Sequence, residues 1–318
     1  MDRRSLWSQY SQRTVILNLR KQTLGARTAD LKMFRPSKVL SEAFVKRVTG
    51  NYQKCFGKGP PGHLEALTLC ARMSTSRLAR TNALYHNMHH TLMVALVGED
   101  IIRGKLYRDG DVRSIDWLHF MVSLFSFGLG FTRNLCKADN NATCVIHESG
   151  ETITLPHGST DGSLWPYFTD RTKIFLHEHY AHHPILDPEV LAAQVEYSRF
   201  PPPPTNDETE TYPGLLRAAQ VIGAIADPDF SLKMMPLWLE LKECSLHEAL
   251  GFHSASELRD KYPRFFWKVL HPMIPEGMDL LTYTGSGRLW LANMHAHVLL
   301  EEHRAPPTAV DATSGSAV

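Results

Sequence analysis

The residues with the most chemistry per unit length are Tyr85-His86-Asn87-Met88-His89-His90. His86 and His90 are four apart, so on a helix they project from one face, one turn above each other. Two imidazoles so placed can grip one metal ion, or set one metal ligand beside one acid/base. A second cluster, His177-Glu178-His179-Tyr180-Ala181-His182-His183, repeats the spacing with His179 and His183. A lone histidine is more often a hydrogen-bonded packing residue, and that reading stays open for both clusters. Arg171 and Lys173 lie where the helix carrying the second cluster should begin. Cations beside free amide groups there suit a phosphate or carboxylate, and otherwise form a solvated charged turn. Asp227-Pro228 offers one more carboxylate, or simply a helix end before a proline.

Helices must position these groups. Apolar residues recur at helical spacing from Val39 (Phe44, Val45, Val48) until Gly57–Gly62 breaks the pattern. Residues 63–80, 82–104 and 114–130 read as three helices, with His86 and His90 on the second. Val145-Ile146, a Ser149-Gly150 turn, then Ile153 and Leu155 predict a small β-hairpin over 143–155. Helices follow near 170–183, 187–199, 214–226, 231–244, 255–270 and 276–303. The aromatic set Tyr262, Phe265, Phe266 and Trp267 reads as core packing, and Trp290, His295, His297 and His303 as packing or surface. The expected fold is all-α with one hairpin insert: a basic lead-in (1–38), a single helical domain (39–304) and a disordered tail (305–318).

Tyr-His-Asn-x-x-His before an apolar helix resembles the opening motif of cyclic-nucleotide phosphodiesterases and the wider HD-domain metal-dependent phosphohydrolases. The likeness continues through Asp116-Trp117-Leu118-His119-Phe120, Gly158-Ser159-Thr160-Asp161, His182-His183-Pro184 and Ile225-Ala226-Asp227-Pro228. It ends with Tyr262-Pro263 and Trp290-Leu291-Ala292-Asn293, so it spans residues 63–303. The resemblance implies a helical bundle around a central cleft. It also implies a metal-bound hydroxide attacking phosphorus, held by a His, an adjacent His-Asp pair and a late Asp. His90 matches the first ligand and His86 the nearby acid. At the His-Asp pair this chain has Phe127 and Gly128, and at the late Asp it has Gln220. Neither Phe nor Gly can ligate a metal through its side chain, and a Gln carbonyl is a weak neutral donor. A divalent metal would therefore need another set, drawn from His90, His179, His183 and Asp227.

Three functions follow as expectations. One is a phosphohydrolase-like enzyme acting on a small phosphate ester or nucleotide-like ligand, with His86, His90, His182 and His183 as catalytic residues and Arg171 and Lys173 as ligand-binding ones. Another is a metal-independent lyase, isomerase or cyclase reusing the cleft. The third is a pseudoenzyme that binds a ligand or partner without turnover. Composition bounds them: 34 Lys+Arg against 33 Asp+Glu give no whole-surface attraction for nucleic acid or membrane. The one imbalance is local, nine Lys/Arg against Asp2 and Asp30 within residues 1–38. That basic start leaves an organellar transit peptide open beside the expected cytoplasmic location. Five scattered cysteines point to reduced thiols and not to a disulfide or thiolate-zinc scaffold.

Overall fold

The computed structural model describes residues 34–140, 142–202 and 208–304. Contacts divide the chain into a short unit, Met1–Val39, and a main unit, Leu40–Val318, with which the following is concerned. Most of the expected lead-in and all of the expected tail fall outside the described residues.

The fold is all-α with one hairpin. Its helices are α1 (Pro36–Phe56), α2 (His63–Leu78), α3 (Met88–Asp109), α4 (Ser114–Ser126), α5 (Phe168–Tyr180), α6 (Pro188–Glu196), α7 (Tyr212–Ile225), α8 (Phe230–Glu243), α9 (Leu246–Ala249), α10 (Ala255–Phe265), α11 (Pro275–Leu281) and α12 (Gly285–Glu302). A 3-10 turn (Phe127–Phe131) continues α4, and another (Asp161–Tyr167) leads into α5. Strands β1 (Thr143–Val145) and β2 (Thr152–Thr154) pair antiparallel, Cys144 opposite Ile153, inside the span the sequence marks for a hairpin.

The core is organised by α3 against α7, the most extensive helix contact in the unit. Gly223 makes the close approach possible, since a Cβ there would lie 2.8 Å from the Val94 Cα. Around this pair α4 buries nearly every residue from Trp117 onward. Ser114–Phe131 is long and apolar enough to cross a membrane by composition, but 83% of it is buried among neighbouring helices, as in a core helix. All five cysteines are free, with Cys70, Cys136 and Cys144 buried.

Several boundaries differ from the expected ones. The second of the three expected helices begins at Met88, not residue 82, because the Asn87 side chain accepts from the His90 N–H (3.2 Å) and caps the helix there. His86 therefore lies in the loop before α3, not on its face. Helix α5 stops at Tyr180, leaving His183 outside it. The expected helix over 276–303 is two, because Thr284 caps a new helix through the Gly287 N–H.

Phe127 sits at the junction of α4 with its 3-10 turn, fully buried. Its carbonyl accepts from Thr172 Oγ1 of α5 (3.1 Å). Phe127→Ala empties a fully buried aromatic site and should cost about 3–5 kcal/mol in urea denaturation. A loss within about half a kcal/mol would mean that the ring contributes no packing.

Candidate active site

A carboxylate from α8 builds the site. Glu240 has no exposed surface. Its Oε1 accepts from the Tyr85 N–H (2.6 Å) and the His86 N–H (3.3 Å), and its Oε2 pairs with His86 Nδ1 at 2.7 Å. Because a carboxylate accepts, Nδ1 carries a proton, and Nε2 is turned away from the pair. The ring is fixed on its faces as well: it stacks on Phe131 (4.2 Å, 5°) and meets Trp165 edge-on (4.3 Å). Room for Glu240 comes from Gly162, where a Cβ would lie 2.7 Å from the Glu240 Cγ.

The loop bearing Tyr85 and His86 is held by the Gly158-Ser159-Thr160-Asp161 segment. The Asp161 carboxylate accepts from Thr81 Oγ1 (3.0 Å) and Arg133 Nε (2.8 Å), and the Asp161 N–H donates to Asn82 Oδ1 (2.6 Å). Thr160 donates its N–H and hydroxyl to Glu243, one helical turn beyond Glu240. Both ends of the loop are thus tied to the element that supplies the carboxylate.

His86 and His90 line one cavity of about 140 Å³, with Gln220, Arg217, Tyr85 and Tyr262 among its polar residues. Their rings are 5.2 Å apart. No described residue hydrogen-bonds to His86 Nε2 or to the His90 ring. Burial, then the neighbouring His86, Lys233 and His89, pushes His90 well below the ordinary imidazole range, so it is neutral at pH 7. Burial also pushes the Tyr85 and Tyr262 phenols upward and keeps them protonated. Most of the remaining wall is apolar, including Trp165, Phe200, Leu237, Leu241 and Phe252. A fixed imidazole with one free nitrogen in a largely apolar pocket can move a proton to or from a small bound molecule.

The other expected site residues lie elsewhere. His182 is exposed and His183 half-buried. Neither lines the cavity; His183 Nδ1 accepts from the Ile185 and Leu186 N–H groups, a loop-closing role. His179 is exposed and packs on Phe175 (4.1 Å), so the second cluster adds nothing to the first. Arg171 is not available to a ligand. It is fully buried, and its five N–H donors are spent on Gly130 O, Val145 O, Thr132 O and both oxygens of Asp139. Lys173 pairs with Glu196 (3.2 Å) and Asp170 (4.0 Å).

The candidate metal set His90, His179, His183 and Asp227 does not assemble. Asp227 stands instead with His89 and Asp229, the one group of three potential ligands among the described residues. Lys233 Nζ sits within it, bonded to His89 Nδ1 (2.8 Å) and to Asp227 Oδ2, so an ammonium takes the place a cation would need. Phe127 and Gly128 lie beside α3: the Phe127 ring is 6.2 Å from that of His90, and a side chain at Gly128 would collide with Thr91.

Glu240 and Arg217 escaped the sequence reading, although each carries a signal. Glu240 is an acid between Leu237 and Leu241 on one helical face. Arg217 is a lone cation in Leu215-Leu216-Arg217-Ala218-Ala219. A charge inside an apolar run must find a buried partner or face a cavity. Tyr262 and Phe265, expected only as core, line the cavity too.

Two measurements check this assignment. Arg171→Met strands the buried Asp139 charge and three carbonyls, and should cost about 3–5 kcal/mol in urea denaturation; a cost below about 1 kcal/mol would return Arg171 to the ligand candidates. For His90 the sign is fixed by its lowered folded pKa. Below the ordinary value of 6.5 the unfolded chain takes a proton that the folded protein refuses. Its contribution to stability therefore declines as pH falls from 6.5 towards the folded pKa, by up to about 1.4 kcal/mol per unit, and is flat above 6.5. His90→Gln should remove that slope between pH 7.5 and 5.5, and an unchanged slope would contradict a neutral His90.

No curated protein and no solved structure matches the chain. The profile of one sequence family does, over residues 34–304, which takes in every described residue. The chain belongs to the Npun_R2479-like family.

Proposed function

We propose that the protein is a histidine acid–base enzyme built on an HD-like helical bundle, acting on a small molecule in the His86 cavity without the two-metal chemistry of HD-domain phosphohydrolases. One observation carries the reading: the 2.7 Å contact of His86 Nδ1 with a buried Glu240 whose other oxygen is held by backbone N–H groups. That arrangement fixes the tautomer and aim of an imidazole so that Nε2 can serve as base and then acid. A neutral His90 5.2 Å away gives a second acceptor for a relayed proton.

The reaction class that suits these parts is proton transfer at a small molecule, as in an isomerase or lyase. Phosphate-ester hydrolysis by the family route needs a His-Asp pair and a late Asp. Here Phe127 and Gly128 bring no ligand, Gln220 lines the cavity as a neutral amide, and Lys233 fills the nearest carboxylate cluster.

The test is a panel of small carbonyl compounds, hydroxy acids and phosphate esters. It is followed by product formation and by deuterium uptake from D₂O, after chelator treatment and again with added Mn²⁺. Chelator-treated wild type should turn over or exchange a non-phosphorylated compound. His86→Gln and Glu240→Gln, the latter because an amide supports the wrong tautomer, should each lower the rate by about 10²–10⁴-fold. Phosphate-ester hydrolysis that appears only with Mn²⁺ would refute the proposal, as would full activity in folded His86→Gln.

A further inference from the structure

We propose that the His86 cavity takes a small, apolar monocarboxylic acid whose carboxylate pairs with Arg217. The inference rests on reading this cavity as the ligand site, not on any turnover there.

Arg217 is 6% exposed and lines the cavity. Its guanidinium lies over the Tyr197 ring at 4.5 Å, and its one hydrogen bond among the described residues is Nε to the Tyr197 carbonyl at 3.3 Å. Among those residues it has no ion pair; Glu208, the acid nearest in effect, accepts from the Tyr197 hydroxyl. Burial accordingly lowers its pKa, the reverse of the rise that paired Arg171 and Arg199 show. Both terminal nitrogens are unengaged among the described residues, so an anion entering the cavity can complete the guanidinium. Its planar fork matches a carboxylate bidentately.

Charge decides between a carboxylate and a phosphate. Arg199 is taken by Asp170 and Glu196, Lys233 by Asp227, and His90 is neutral. Among the described residues Arg217 is the one cation lining the cavity without an acidic partner, and a single carboxylate matches its fork. A phosphate dianion would bring a second charge into a wall that includes Trp165, Phe200 and Leu241. Size sets the body of the ligand: an apolar cavity of about 150 Å³ accommodates a benzene-sized group, and this one is about 140 Å³. The ligand is therefore about as large as an aryl or short branched-alkyl carboxylic acid.

The probes are benzoate, benzamide and phenyl phosphate, titrated into the full chain at pH 7 and read by ligand-observed NMR and thermal shift. Benzoate should bind, and benzamide and phenyl phosphate should bind at least about tenfold more weakly, the discrimination expected of a charged hydrogen-bonded pair. Arg217→Gln, confirmed folded by circular dichroism, should lose benzoate by about 10- to 100-fold, with Arg217→Lys between it and wild type. The proposal is overturned if benzamide or phenyl phosphate matches benzoate or if folded Arg217→Gln binds benzoate like wild type. It is also overturned if benzoate fails to bind by about 20 mM, well beyond the millimolar affinity a ligand of nine heavy atoms reaches. Binding is read without turnover, so a protein that holds benzoate through Arg217 yet catalyses nothing defeats only the acid–base reading. An active enzyme indifferent to Arg217→Gln defeats only this one.

Discussion

A carboxylate with no exposed surface is the constraint around which the site is arranged. Taking Glu240 out of water costs several kcal/mol unless donors replace the lost hydration. Those donors are the Tyr85 and His86 backbone N–H groups and His86 Nδ1. The two backbone donors would be lost if Arg80–Asn87 were helical, because each N–H would then be spent on the preceding turn. The extended loop before α3, its anchoring through Asp161, and the missing side chain at Gly162 are all conditions for satisfying one buried acid. The same bonds orient the His86 ring, so the requirement that keeps the fold intact also aims the nitrogen to which the proposed function assigns proton transfer.

Most of the fold was legible from periodicity. Helices α2, α4 and α7 and the hairpin stand within a few residues of where their apolar spacing puts them. Two of the displaced boundaries share one physical origin: side chains competing with the helix for backbone groups. Asn87 takes the His90 N–H and Thr284 takes the Gly287 N–H, and each begins a helix where spacing alone would continue one. Of the site, the His86–His90 pair was legible as chemistry, but on a mistaken geometry. The two rings meet because the loop turns back onto the start of α3, not because they share a helical face.

The second histidine cluster and Arg171 were misread because their partners are distant in sequence. Asp139 lies 32 residues from Arg171, and the three carbonyls that complete its hydrogen bonding belong to the 3-10 turn, the residue after it and β1. An arginine near a helix start can bind an anion from solvent or pin a hairpin to a helix, and local sequence does not separate the two. The signals that would have worked are negative ones: an acid or base in an otherwise apolar run, as at Glu240 and Arg217, has no solvent to return to. The motif segments behave alike. Asp116 caps α4 with Arg113, His119 Nε2 accepts from the Asp187 N–H (3.0 Å), and Trp290 Nε1 donates to Asp100 (2.9 Å). These are structural fastenings, so motif likeness at such positions speaks to architecture more than to reaction.

Low polarity then sets how three of the ionisable groups lining the cavity differ. His90 has no carboxylate and sheds its proton. His86 has one and is oriented by it. Arg217 cannot shed its proton at any physiological pH, so it keeps a charge with no acidic partner among the described residues. A single apolar environment thus yields a neutral imidazole, an oriented imidazole and an uncompensated cation. Each is worth more there than in water, because the low dielectric strengthens every interaction an incoming ligand completes. In the function proposed above, an anion held by Arg217 would enter the cavity that His86 also lines and displace solvent from it. Anion binding by Arg217 and the proposed proton transfer at His86 would then depend on the same exclusion of water.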